Sequence, residues 1–587
     1  MKRILLYGLL LLALAPMGLR ANNIQVTNVK IVDRTDSTAY IKFTVGWDNS
    51  WKDRAHSNWD AAWVFAKAYH NGDKKWIQVY FAEPKGVQTN ANSDMDGYIQ
   101  APHRIESAPS SPVWVEFGTS ITEYGEQYSG VFIYRKNIGH GSLLVEDVCL
   151  RWNYGEDQYN LRPDDNLHVS VFAIEMVYVP SHAYILGDGS STNSLYFVES
   201  SKTVKIRTDV TGYKSYGMGT VRDVEEKGFT YLDPSGATHA IPDAFPKGMK
   251  SFYVMKHEIS QHAYADFLNT LTLSQQEVRT YMSQKQLVAA GSICAFAMIP
   301  PSNTPGCRNF TSNPAQYRNF IRMRTVGYEG TLGDPTDPPM AAKFGHNVSG
   351  RNTDDSWDME ANAGNVACNF LSWSDGLAYL DWSCLRPMSE LEFEKACRGT
   401  KFLREDMAWG ERYGVALIKY QNRWFDEENQ SNERAAYEEA TYLPTGQEPW
   451  VMRVGAFAKD STYRKEAGST YYGILNMSDN LWERCVNVST EAGRKFIPNE
   501  GDGVLGDGRN GDDGEAFVMP DNFSDESCWP DETGAGYRGG KISDRTYAES
   551  TRVATCESNQ EPRTQYSGFR GCRYAPRTST ATMFSLP

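Results

Sequence analysis

Leu385-Arg386-Pro387-Met388-Ser389-Glu390-Leu391-Glu392-Phe393-Glu394 is the stretch whose reading decides the fold of this chain. Ser389 and the glutamate three residues on form a capping box, each side chain accepting one free amide of the other's helical turn. Phe393, Ala396 and Cys397 continue a packed face along the helix that follows. A second helix around Leu377 to Trp382 comes just before it. Further upstream, Phe252-Tyr253-Val254-Met255-Lys256-His257-Glu258-Ile259-Ser260 reads as a strand running into a helix. Ser260 is a suitable N-cap, and Tyr264, Phe267, Leu268 and Leu271 recur at i, i+3, i+4 and i+7 as one buried stripe.

Outward from this core lie three more segments in fixed order. They are Met176-Val177-Tyr178-Val179-Pro180 with Gly187-Asp188, Asn476-Met477-Ser478-Asp479-Asn480-Leu481-Trp482-Glu483, and Arg538-Gly539-Gly540 followed by Gly568-Phe569-Arg570. From Ile24 to about Ile174 the period is two instead. Ile41, Phe43, Val45 and Trp47 share one face, and similar runs recur at Trp63-Val64-Phe65, Val113 to Phe117, Val131 to Tyr134 and His168 to Ile174. Short strands with turn signals and no long helix predict an antiparallel β-sandwich. Trp47, Trp51, Trp59 and Trp63 read as core and edge aromatics ahead of a sugar-stacking platform.

With 587 residues the chain is too long for one ordinary core. A basic start at Lys2-Arg3, an apolar run from Ile4 to Leu19 and Ala21 at the break predict a signal peptide and export to the periplasm, the cell surface or the medium. The run is too short, and too broken by Pro16 and Gly18, for an anchor of roughly 20 apolar residues. No later segment is apolar enough to span a membrane, so the mature chain is expected to have no transmembrane segment. The net charge of -14 argues against nucleic acid as a partner. Ten cysteines allow disulfides but show no zinc spacing. No Ser-His-Asp signature or phosphate loop is present.

Taken together, the four segments resemble the formylglycine-generating enzyme (sulfatase-modifying factor) family, whose fold is α+β and related to C-type lectins. The expected organisation is a signal peptide over 1–21, the β-sandwich over 22–174, the family-like domain over 175–577 with insertions near 189–246 and 272–362, and a tail over 578–587. The resemblance implies a copper site held by two cysteines between the Arg-Gly-Gly and Gly-Phe-Arg motifs. Here those positions fall on or near Asp544 and Glu549, and Cys556 is the one cysteine between Lys541 and Ser567. Soft Cu(I) needs two thiolates, so copper is not expected. The catalytic candidates that remain are Asp544, Glu549 and Cys556.

The resemblance further implies a calcium site on Asn476, Asp479, Leu481 and Glu483, with oxygen ligands of the kind Ca²⁺ takes. It also implies a disulfide between Cys397 and Cys572. A related branch uses a histidine triad for iron, but His257 and His262 are five residues apart and read as surface or cap residues. The loop Asn499-Glu500-Gly501-Asp502-Gly503 through Gly514-Glu515 fails the EF-hand order and reads as solvated. The expectation is a non-catalytic binding or assembly protein for an envelope-protein or glycan partner. The alternative is an oxidoreductase of the same family with a redesigned site.

Overall fold

The structure, a computed structural model, describes residues 24–82, 113–155, 161–186, 197–199, 219–221, 229–299, 318–331, 339–346, 364–399, 407–410, 415–418, 435–438, 451–505, 529–539 and 563–576. Within these spans, residues 73, 123, 163–164, 182–183, 233–236, 293–294, 456–457, 459–463, 465–466 and 479 are excepted. The expected signal peptide lies outside the described residues.

Eight strands form first: β1 (Gln25–Val32), β2 (Ala39–Asp53), β3 (Asn58–His70), β4 (Lys75–Gln78), β5 (Val113–Thr122), β6 (Gly125–Arg135), β7 (Gly139–Trp152) and β8 (Leu167–Val179). β2 lies between β1 and β7, and β3 lies between β8 on one edge and β6 and β4 on the other. The two groups stack. The period-two face predicted for β2 is buried as expected, with Ile41, Phe43, Val45 and Trp47 meeting Ala62, Val64, Ala66, Val131 and Ile133 in one apolar core.

Residues of the other parity on β3 enter a second core. Ala61, Trp63 and Phe65 pack there with Phe267, Tyr379 and Trp382. Coverage of both faces explains why Trp63-Val64-Phe65 is an unbroken apolar run, since a strand buried on both sides has no polar face to show. Gly118 and Gly130 are required beside it: a Cβ on either would come within 2.8 Å of the Trp63 indole. The tryptophans behave as core and edge residues. Trp47 and Trp63 are buried, with Nε1 donating to Asp60 Oδ2 at 3.0 Å and to the Ser383 carbonyl at 2.8 Å, and Trp59 stacks on Tyr178 at 4.1 Å.

The same sheet continues into the C-terminal part. β8 pairs antiparallel with β9 (Phe252–Met255), β9 with β14 (Gly571–Tyr574), and β14 with β10 (Arg386–Pro387). Three helices pack nearby: α1 (Gln261–Leu268), α2 (Trp373–Trp382) and α3 (Glu390–Arg398). Ser260 caps α1 through a bond from the Ala263 amide, and the Ser389–Glu392 capping box opens α3 as its sequence requires. α2 starts earlier than expected, because Ser372 and Asp375 form another capping box. A second small sheet sets β11 (Trp482–Val486) between β12 (Ala535–Arg538) and β13 (Ser567–Gly568). The protein is mostly β-sheet with few helices.

β8 runs without interruption through residues 174 and 175, where the sequence pattern divides the chain. Charge is buried at that seam. Lys256 Nζ donates to Glu175 Oε2 at 2.9 Å and to Asp60 Oδ2 at 3.1 Å, and Asp60 Oδ1 accepts from Ser50 Oγ and the Trp51 amide. Burial pushes the Glu175 carboxyl up, but the Lys256 ammonium outweighs it and holds it at about 2. Burial pushes Asp60 up, and there the lysine does not fully offset it.

The strap at Asn499 to Gly503 crosses the same seam and corrects the expectation of a solvated loop for that part, while residues 506–515 lie outside the described residues. Lys67 Nζ donates to the Gly503 carbonyl at 2.6 Å, Ser120 Oγ to that of Gly501 at 2.6 Å and Tyr80 Oη to that of Asp502 at 2.9 Å. Its glycines let the backbone press against buried groups that accept no larger residue. Removing one partner of a buried ion pair typically costs about 3–5 kcal/mol, so Lys256→Met should lose about that much in urea unfolding at pH 7. At pH 3 the deficit should shrink, because the variant's Asp60 and Glu175 can take up protons while wild-type Glu175, with a pKa of about 2, stays ionised.

Candidate functional site

The charged residues of the four sequence segments converge on one buried frame. Arg386 meets Glu392 through two parallel bonds of 2.9 and 2.7 Å, and both side chains are fully buried. The same glutamate accepts from the Ser389 amide, so the capping box and the arginine share one carboxylate. Glu394 pairs with Arg398 one turn on and with Arg538 from β12. Arg570 donates to Glu483 at 2.6–2.9 Å and to the carbonyls of Met255 and Leu475 at 2.9 and 2.8 Å. Phe569 lies against Gly376 of α2, where a Cβ would come within 2.4 Å of its ring. These motifs build the interior.

That geometry decides the fit of the implied calcium ligands. Both oxygens of Glu483 face the Arg570 guanidinium, so a divalent cation there would displace or oppose a buried positive charge. Asn476 Oδ1 accepts from the Gly455 amide at 3.0 Å, and the Leu481 amide donates to Glu258 Oε1 at 3.0 Å. Asp479 lies outside the described residues. Glu483 does not fit the ligand role, because its carboxylate is taken up by Arg570.

Cys397 and Cys572, the pair of the expected disulfide, are buried and carry no bond to each other in this structure. Cys572 Sγ instead accepts from Arg386 Nη1 at 3.0 Å and lies beside the Glu392 carboxylate. Burial pushes the thiols of Cys368, Cys485 and Cys572 up, and those of Cys149 and Cys384 to about 11 and about 12. They are protonated at neutral pH, unlike a thiolate ligand. Asp544, Glu549 and Cys556 lie outside the described residues.

An open cleft of about 580 Å³ lies where β1, β8 and the start of α1 meet. His257, Glu258, His262, Asp266 and His346 line one end, and among the described residues no lysine or arginine lines it. His262 is exposed, as its reading as a surface residue requires, and lies 3.6 Å from Asp266. His257 departs from that reading. It is 8% exposed, neither ring nitrogen has a hydrogen-bond partner, and its Nε2 is 3.7 Å from Glu175, longer than a hydrogen bond. Burial holds its pKa down, so the imidazole is neutral. Asp60 and Lys256, which fix Glu175, escaped sequence reasoning. The available signal was a lone charge at one end of each apolar run, Asp60 before Ala61 to Ala66 and Lys256 after Phe252 to Met255.

The sequence profile of the Sulfatase-modifying factor enzyme 1-like domain matches residues 245–575, more than half of the chain. The protein belongs to that family. No curated protein matches the chain. The matched residues begin after β8, and the strand carrying Met176 to Val179 pairs with β9 within them. Among the described residues no group of three or more His, Cys, Asp or Glu side chains is placed to hold a metal ion, and no helix is long and apolar enough to cross a membrane.

If Glu483 is a partner for Arg570 and not a calcium ligand, Glu483→Gln should cost about 3–5 kcal/mol. The loss in thermal or urea unfolding should be the same with and without EDTA. A loss that EDTA abolishes in comparison with wild type would restore the calcium role.

Proposed function

We propose that this is an exported, non-catalytic binding or assembly protein that uses a sulfatase-modifying factor domain as scaffold for protein or glycan partners in the cell envelope or outside the cell. One observation carries the reading. The charged side chains of the family segments are spent on buried pairs, Arg386–Glu392, Arg538–Glu394 and Arg570–Glu483, which hold strands and helices together. None of these groups is left to bind or polarise a substrate. The sequence supplies one cysteine between Lys541 and Ser567, and a linear Cu(I) site needs two thiolates. Shared fold does not carry shared chemistry. The basic, apolar N-terminal segment supports export.

The test is incubation of the copper-loaded, reduced protein with a sulfatase-type cysteine peptide, followed by mass spectrometry. The peptide should keep its cysteine mass. Aldehyde formation above the no-enzyme control would overturn this reading and establish the oxidoreductase alternative.

A further inference from the structure

β8 has two edges, and they are not equally used. One pairs with β3 along Leu167 to Val177; the other pairs with β9 only from Met176 to Val179. The last bond on that second edge is from the Lys256 amide to the Glu175 carbonyl, at 2.8 Å. In a strand the N–H and C=O of every second residue point to the same edge. Those of Val169, Val171 and Ala173 therefore point the way the Glu175 carbonyl does. Among the described residues they have no hydrogen-bond partner.

This bare edge is the wall of the cleft. All seven consecutive residues from Val169 to Glu175 line it, both parities alike, as expected where a strand presents its backbone edge and not one face. β1 forms the opposite wall, again through consecutive residues, Ile24 to Thr27. The cleft thus runs along the bare edge of β8, in line with β9 and flanked by apolar side chains. Its β9-proximal end carries the carboxylates of Glu175, Glu258 and Asp266 beside His257, His262 and His346, with Arg324 and Lys343 in the adjoining hollow that shares Asp266.

We propose that the cleft binds an extended peptide segment of a partner protein by strand addition to β8 over Val169–Ala173, with a basic residue of that segment at the Asp266 end. The inference rests on the binding-protein reading and names its partner class. β9 shows that this edge accepts an antiparallel strand, and five or six residues of a guest, at roughly 3.3 Å each, would continue it. Main-chain bonds to the edge give such binding its affinity. Alternate apolar side chains would enter the spaces beside Val171 and Phe172, and the carboxylates favour lysine or arginine over acidic residues.

The probe is an acetylated heptapeptide alternating valine and threonine with one terminal lysine, compared with the same peptide ending in glutamate. Binding to the full-length protein is read by fluorescence anisotropy and by amide exchange at Val169, Val171 and Ala173. The lysine peptide should slow exchange at these three amides and bind at least about tenfold tighter than the glutamate peptide; Asp266→Lys should reverse that order. N-methylation of alternate peptide residues in one phase should weaken binding at least about tenfold, and in the other phase leave it nearly unchanged, a comparison that needs no protein variant.

Three results would overturn the proposal: no slowing at these amides, slow exchange there before any peptide is added, or equal weakening by both N-methylation phases. Protection of the same amides by a neutral oligosaccharide and not by either peptide would replace the peptide with a glycan. The function reading fails separately, through aldehyde formation on a cysteine peptide, which amide exchange at β8 does not register.

Discussion

The structure depends on one strand serving two neighbours. β8 supplies a full ladder to β3 and, beyond Glu175, a second ladder to β9, so the N-terminal strand layers and the family domain share a sheet. A backbone that has to satisfy both partners cannot slip by one residue without turning its buried side chains to the wrong face. The register is locked where β9 ends, because Lys256 follows it directly and reaches both Asp60 and Glu175. An ammonium with two carboxylates in a dry interior tolerates little displacement, since any unpaired member is left as an uncompensated buried charge.

The family segments look different once their partners are visible. In the sequence they read as signatures of an enzyme; in the fold they are joints. Arg570 ties β14's approach to β11 and to the Met255 carbonyl at the end of β9, and Arg386 ties β10 to the first turn of α3. Such pairs fix geometry more than they add stability, because desolvation of both ions consumes much of their attraction. A scaffold of this kind can lose its reaction and keep its motifs. This is the physical basis for separating the family assignment, which the motifs carry, from the activity, which they do not.

Several features were legible in the sequence because they depend on neighbours a few residues away. The Ser389–Glu392 capping box, the Ser260 cap and the alternating face of β2 rest on local geometry with fixed periods, and each stands in the structure as its residues predict. The tertiary structure decided the rest. Whether Glu483 faces calcium or Arg570 depends on a residue 87 positions away, and whether Cys572 meets Cys397 or Arg386 depends on how β14 lies against β10. His257 became a buried imidazole without a hydrogen-bond partner, and Asn499 to Gly503 a half-buried strap, through packing between the two parts of the chain. Composition and periodicity report what a residue can do; only the long-range pairing of strands determines which partner, charge or open edge it meets.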